Sequence, residues 1–525
     1  MFKKVEQSAN LSVRNFDEFI EKYFHYIVTA VFLVLSIILI TRHELWRDEI
    51  QAWMIGAETH SISEFIKEMR GGQGHPYLWN AMLAFISHLI TDNIESMKVL
   101  HLAISTANIF LFLKYAPFNK AVRLLFVFGY FPFYEYSIIS RNYAIGILFM
   151  IIFCILYKNK YKNILPISIV LFLMGQTNIY AFVISISLFL MLIFDLILDS
   201  RKEKISVKKV YVFLAVIIIL AEIFFVYWQL KSQVPGGSLR DIFIKPVNEY
   251  VQSAKTIFSA FIRAYIPVPV FKIDFWTSNL IANLLPNIVP ILIFPVIIIA
   301  TLFIIKKRVL FLYIIGNAAI AFIPFFLYSG STRHYGHFFI LFIICLWITN
   351  INCKDNTDKI DYLVKFKNNT NKKISNVFLV TILSLSVIGA SFAFYFEYRY
   401  PFSCAKSVAK YIEDNFDKDR VVIAGFKDSA SETVAAYLNK EIYYTQSGKF
   451  SRLLSVSERK SATMEDSFKA AEGFKTRDND VIVIIDYSSF KDQGIPEKYN
   501  FEKINRYFNS SIVPDESYYL YIYKD

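Results

Sequence analysis

Charge, cysteine and any recognisable nucleotide chemistry are all in short supply. Only 19% of the 525 residues are Asp, Glu, Lys or Arg, and there are just four cysteines, 17 glycines and 15 prolines. No glycine-rich phosphate loop, paired-cysteine zinc motif or His-x-x-x-His helix is present, which gives soluble nucleotide chemistry no support. There is no nucleic-acid motif either. Cys154 and Cys345 fall in apolar runs, and Cys353 lies on the inner side in the topology reached below. Only Cys404 is clearly outside, so no intrachain bridge is expected in the outer domain.

Apolar length is what the chain has instead. It is 55% hydrophobic and 17% aromatic, and its long apolar runs are broken by Lys/Arg clusters, which places it among polytopic membrane proteins. A bilayer is crossed by roughly 17–25 apolar residues. The candidate spans are 24–41, 99–113, 124–139, 143–157, 164–175, 180–198, 210–230, 285–305, 309–328, 337–349 and 375–396. The first lacks a small-residue cleavage site and is expected to remain as an anchor.

Residues 76–91 decide the topology of everything after them. Asn80, Ser87, His88 and Thr91 fall on one arc of a helix, which suits an interfacial helix with its polar stripe facing water. If this stretch does not span, Lys114, Lys120, Arg123, Lys158, Lys160, Lys162, Arg201, Lys202, Lys204, Lys208, Lys209, Lys306, Lys307 and Arg308 all share the side of the basic N-terminus. The short loops on the other side then carry only Arg141 and Arg333. A span at 76–91 would invert every later loop against the positive-inside rule. The expected fold is therefore a polytopic α-helical membrane protein of about eleven spans, N-terminus cytoplasmic and C-terminus outside.

Residues 1–22 form a cytoplasmic lead, 23–396 the membrane domain with outer loops 42–97 and 231–284, and 397–525 a soluble extracytoplasmic domain. The second outer loop opens on Pro235-Gly236-Gly237. Its Arg240, Lys245, Lys255 and Arg263 read as an amphipathic basic segment on the membrane surface. The Lys- and Asn-rich 350–373 is an inner linker. In the last domain, helix-like stretches at 405–415, 429–438 and 464–472 alternate with strand-like runs at 421–424, 442–445, 481–486 and 518–523, predicting a small α/β fold. That domain has 19 Lys/Arg against 21 Asp/Glu, so the chain's net +12 comes from the membrane part.

Candidate chemistry collects at the outer face. Trp46-Arg47-Asp48-Glu49 opens the first outer loop. A carboxylate there suits a general base for a hydroxyl acceptor, and equally a solvated charge at the positive end of a helix. His75 could hydrogen-bond a sugar, a phosphate or that carboxylate, or serve only as a cap before Pro76. Histidine and carboxylates are competent ligands, so a divalent metal stays open. Arg141 and the Arg333-His334 pair suit the stabilisation of a leaving phosphate, against a snorkelling role for each alone. Tyr143, Tyr180 and Tyr335 could line a sugar or polyprenyl path, or sit in an interfacial belt.

Asp48-Glu49, His75-Pro76, Arg141-Asn142-Tyr143-Ala144 and Arg333-His334-Tyr335-Gly336, in that order and on one side, resemble the motifs of the integral-membrane glycosyltransferases of the C type. The closest branch is the protein O-mannosyltransferase and aminoarabinose transferase group. The resemblance covers roughly residues 20–350. It implies a polyprenyl-phosphate sugar donor, Asp48 as catalytic base, and Glu49 assisting the acceptor or the site's organisation. It further implies Arg141 and Arg333 at the donor phosphate, with His75 near the reacting centre. Pro76-Tyr77 departs from the family's more usual two prolines and leucine, and the C-terminal domain is not a general family feature.

The expectation is an inverting transfer of one sugar to a glycan, lipid or protein hydroxyl at the outer face of a bacterial plasma membrane; the Lys-, Ile- and Asn-rich composition suits a low-GC bacterium. A polysaccharide polymerase or ligase would also need outer arginines. A transporter would place its polar residues at mid-membrane and show internal repeats.

Overall fold

The computed structural model describes residues 2–70, 73–202, 207–231, 246–284, 286, 288–351, 369–486, 499–504 and 510–524. Gly71-Gly72, the Pro235-Gly236-Gly237 turn with Arg240 and Lys245, Cys353, and the linker from 352 to 368 lie outside these residues.

Helices stand in every apolar run named above. In chain order they are α1 (Phe2–Ile40), α2 (Arg47–Glu58), α3 (Ile62–Arg70), α4 (Leu78–Leu89), α5 (Ser96–Tyr115), α6 (Lys120–Val127), α7 (Tyr143–Tyr157) and α8 (Ile164–Gly175). Then come α9 (Ile179–Lys202), α10 (Lys209–Leu230), α11 (Val247–Tyr265), α12 (Val289–Ile304), α13 (Lys307–Phe322), α14 (Thr332–Ile351) and α15 (Asn369–Arg399). Among the described residues, seven helices are long and apolar enough to cross a bilayer, and α4, α7, α8 and α12 are shorter apolar helices. The chain is thus a multi-pass membrane protein.

Helix α14 is its axis. Every residue from His334 to Thr349 is buried, as expected of a helix that is apolar all round. Gly336 lets that axis close on its neighbours, because a Cβ there would collide with Phe131 and Tyr136. The run at 124–139 is not one helix. Pro132 has no N–H to continue the ladder, so α6 ends at Val127 and a π-turn, Tyr130–Glu135, follows. Tyr134, Glu135 and Tyr136 are thereby buried, against Glu397, Trp276 and the Arg333 carbonyl respectively.

Helix α4 differs from its sequence reading. Within its polar arc, Asn80 turns inward and its Nδ2 donates to the Ala52 carbonyl at 3.3 Å, while His88 stays exposed with Nε2 3.0 Å from the Thr59 carbonyl. Helix α4 packs on α2 where Gly56 lacks a side chain. Phe85, Leu89 and Ile90 are left exposed. Helix α11 is amphipathic, packing one face against α12 and α14 where it buries Phe261, Ile262 and Tyr265. Its Arg263 bonds Ser259 Oγ at 3.2 Å, Asn283 Oδ1 at 3.2 Å and the Thr277 carbonyl, clipping the following loop to the helix.

The C-terminal part is a six-stranded sheet in the order β3-β2-β1-β4-β6-β5, made of β1 (Val422–Phe426), β2 (Ile442–Tyr444), β3 (Lys449–Ser451), β4 (Val481–Asp486), β5 (Phe501–Lys503) and β6 (Tyr518–Tyr523). β1 pairs parallel with β2 and β4, and the remaining pairs are antiparallel. Alternation along the central strands sends Ile423, Ile482 and Ile484 to one face, under α16 (Ala405–Asn415) and α17 (Asp428–Leu438). Ala424, Val481, Val483 and Ile485 go to the other face, under α18 (Met464–Gly473). Strand β4 is therefore buried throughout.

Candidate active site

Helix α2 begins at an extended Trp46 whose side chain provides no cap. Asp48 and Glu49 occupy the first turn, where the helix dipole favours anions. Successive residues on a helix point about 100° apart, so the two carboxylates diverge.

Glu49 turns inward and is fully buried. Its Oε2 lies 2.9 Å from His43 Nε2 and accepts from the Trp46 N–H at 3.2 Å, while Oε1 accepts from the Ser140 N–H. The other nitrogen of His43 is 2.8 Å from Glu397 Oε1, and Tyr134 donates to Glu397 Oε2 at 2.7 Å. Burial alone would lower the His43 pKa, but Glu49 and Glu397 on either side push it up to about 9. Burial likewise works to raise Glu49, yet His43 and the backbone donors hold it below the usual range. The network is a charged imidazolium between carboxylates, tying α2, the π-turn and α15 together.

Asp48 turns outward, with 29% of its side chain exposed. Its Oδ2 is 3.1 Å from Arg333 Nη2 and 4.0 Å from Arg141 Nη2, and its Oδ1 is 3.9 Å from Arg47 Nε. Arg141 also donates to the Asp48 carbonyl. Partial burial opposes ionisation of Asp48, but the surrounding Arg141, Arg333 and Arg47 outweigh it and hold the carboxyl below its ordinary pKa. Arg333 lies against two indoles that also touch each other, with its guanidinium carbon 5.1 Å from the Trp46 ring and 5.2 Å from the Trp276 ring.

His75 completes the group. Its Nε2 is 3.1 Å from Arg141 Nη2, which can only donate, so Nε2 accepts and the ring proton sits on Nδ1. Burial and the neighbouring Arg141 press its pKa down to about 3, keeping the ring neutral. Nδ1 is buried and has no partner among the described residues.

Asp48, His75, Arg141 and Arg333 thus converge from four separate segments. His334 accepts the Ser331 N–H at 2.8 Å and stacks on Tyr180 at 5.3 Å, within an aromatic group that includes Tyr143. Tyr335 donates to the Ser329 carbonyl and lines a cavity of about 420 Å³ between α11 and the start of α14. Lys255, Arg263, Ser331 and Thr332 line it too, no described acidic residue does, and the buried Thr332 hydroxyl has no partner among the described residues. Among the described residues, no group of three or more His, Cys, Asp or Glu could hold a metal ion.

Sequence reasoning assigned no role to Arg47, although it adjoins Asp48. Trp276 and Glu397 gave no local signal, because each reaches the site only through the tertiary fold.

The fold and site define a multi-pass membrane protein with a polar, arginine-rich centre at one end of its bundle and an α/β domain docked beside it. No sequence-family profile matches the chain, and no curated protein matches it. Among solved structures, the chain is similar to the crystal structure of ArnT from Cupriavidus metallidurans bound to undecaprenyl phosphate. The TM-score is 0.47 and the identity 11%, covering 95% of this chain and 97% of that one. So loose a likeness carries no residue roles across, and the roles below rest on this chain's own geometry.

Proposed function

We propose that the chain is an inverting glycosyltransferase that moves a sugar from a polyprenyl-phosphate donor to an acceptor hydroxyl on a cell-envelope glycan, lipid or protein. The observation that carries this reading is a single partly exposed carboxylate, Asp48, facing two arginines from distant segments, Arg141 and Arg333. The chemistry needs both signs in one place. Asp48 takes the acceptor's proton as its oxygen bonds to the anomeric carbon. The bond from that carbon to the phosphate oxygen breaks, and the polyprenyl phosphate leaves with its charge on Arg141 and Arg333.

The neutral His75 offers its Nδ1–H to an oxygen at the reacting centre and keeps Arg141 in place through Nε2. Tyr143 and His334 form an aromatic wall behind the arginines. Tyr335, Arg263 and Thr332 give the donor's polar head a hydroxyl-rich cavity with no described acidic residue in its lining. Glu49 organises the site through its buried contacts. The positive-inside pattern supports a site at the outer face of a bacterial plasma membrane, with the N-terminus inside. There the donor's tail stays in lipid while its sugar meets water-soluble chemistry.

The test is transfer of radiolabelled sugar from a panel of polyprenyl-phosphate sugars into lipid, glycan and protein fractions, comparing wild type with Asp48→Asn at equal expression. Label confined to one fraction and lost in the variant is the expected result. Transfer undiminished by Asp48→Asn would overturn the assignment of the base.

A further inference from the structure

Helix α2 carries Asp48, and its Glu49 reaches back to the Trp46 N–H, but the Arg47 N–H bonds no side chain of the helix itself. Trp46 stands at the cap position and its indole can only donate, so a first-turn amide must find its acceptor elsewhere. That acceptor comes from the far end of the chain. Glu516 Oε1 accepts from the Arg47 N–H at 2.6 Å, and Asp515 bonds the Arg47 guanidinium. Both acids sit on a 3-10 turn, Pro514–Glu516, of the C-terminal domain. The turn is itself fixed: the Cys404 N–H donates to the Glu516 carbonyl at 3.0 Å, and the Ile512 and Val513 amides donate to the carbonyls of Pro401 and Phe402 at 2.9 and 3.0 Å.

The same domain grips α2 and its lead-in at other points. Tyr437 accepts from the Leu45 N–H at 2.8 Å, Gln51 Nε2 donates to the Leu454 carbonyl at 3.3 Å, and Arg452 pairs with Glu58 at 3.2 Å. Arg47 is the shared element. One end of its guanidinium is held by Asp515 while Nε stays 3.9 Å from Asp48.

We propose that Asp515 and Glu516 are positioning residues of the transfer site: Glu516 caps the helix that carries Asp48, and Asp515 holds Arg47 back from closing on Asp48. This rests on the glycosyltransferase reading above. The docked C-terminal domain is then part of the active state. Loss of Asp515 frees Arg47 to close on Asp48 from its present 3.9 Å, strengthening the field that it already shares with Arg141 and Arg333 and weakening the base.

Asp515→Asn and Glu516→Ala in the full-length protein test this, with Asp515→Glu as the conservative control. Asp515→Asn is expected to lower kcat about tenfold with donor KM within twofold of wild type, and to move the acid limb of kcat/KM to lower pH. Asp515→Glu restores both. Glu516→Ala is expected to speed hydrogen exchange about tenfold in the peptide holding Arg47 to Ile50, as loss of a helix cap does. Unchanged kcat and acid limb in Asp515→Asn would overturn the proposal, as would unchanged exchange in Glu516→Ala. Faster exchange in Glu516→Ala, together with a wild type that transfers no sugar from any donor, would instead sink the glycosyltransferase reading and leave the capping intact.

Discussion

Asp48 is both the proposed base and the internal counter-ion of the arginines that meet the donor phosphate, so Asp48→Asn should move binding and turnover in opposite directions. In the free site the carboxylate lies 3.1 Å from Arg333 and 4.0 Å from Arg141. A unit charge pair at 4 Å is worth about 4 kcal/mol at an effective dielectric of 20. With 29% of the Asp48 side chain exposed, solvent screening cuts this to roughly 1–2 kcal/mol. A donor phosphate competes with that interaction in wild type and is spared the competition in the variant. Donor affinity should therefore tighten about 5- to 30-fold. Turnover should fall by about 10²–10⁴-fold, the usual worth of a positioned base. Equilibrium binding of a labelled polyprenyl-phosphate sugar to detergent-purified protein, beside single-turnover transfer, reads both. Weaker donor binding in Asp48→Asn would refute the reasoning, because Asp48 would then be helping to hold the donor.

Two further outcomes follow from the same geometry. Arg333→Lys keeps the charge but loses the planar fork and its contact with the Trp46 and Trp276 rings, so transfer should drop about 10–100-fold with no change in expression; full activity would leave Arg333 as a mere counter-charge. His43 has its pKa raised to about 9 between Glu49 and Glu397. Its contribution to stability is complete below the ordinary histidine pKa of about 6.5 and is lost as pH rises through 9. The unfolding temperature should accordingly be lower at pH 9.5 than at 6.5, with that difference reduced in His43→Gln; identical pH dependence in the two proteins would count against it.

Much of the fold was legible in the sequence because its signals are local. Apolar length marked the membrane helices, and strand-like runs between helix-like stretches marked β1, β2, β4 and β6. The short edge strands β3 and β5 were not seen, since three residues carry too little pattern to stand out from a loop. The polar arc of α4 was found, but Asn80 was aimed wrongly within it. Periodicity gives the face of a helix, not its partner, and the carbonyl of Ala52 takes Asn80 out of water while His88 stays exposed. At the site, Asp48, His75, Arg141 and Arg333 could be picked out by residue type and sidedness. Asp515 and Glu516 could not, because nothing in the sequence relates them to Arg47 across more than 460 positions.

The adjacency of Asp48 and Glu49 suggests a carboxylate pair, and the helix turns it into a division of labour. Glu49 Oε1 accepts from the amide of Ser140, the residue immediately before Arg141, so the buried carboxylate fixes where Arg141 enters the site. Arg141 then returns to α2 by donating to the carbonyl of Asp48, and its other nitrogen reaches His75. The spacing between the proposed base and one of its two arginines is thus set by the neighbouring acid through a closed loop of hydrogen bonds. A single acid on this turn could not both face a substrate and anchor the segment that brings in the arginine. The first role needs partial exposure, while the second needs complete burial against a charged His43. Two consecutive acids, about 100° apart on one helical turn, meet both demands.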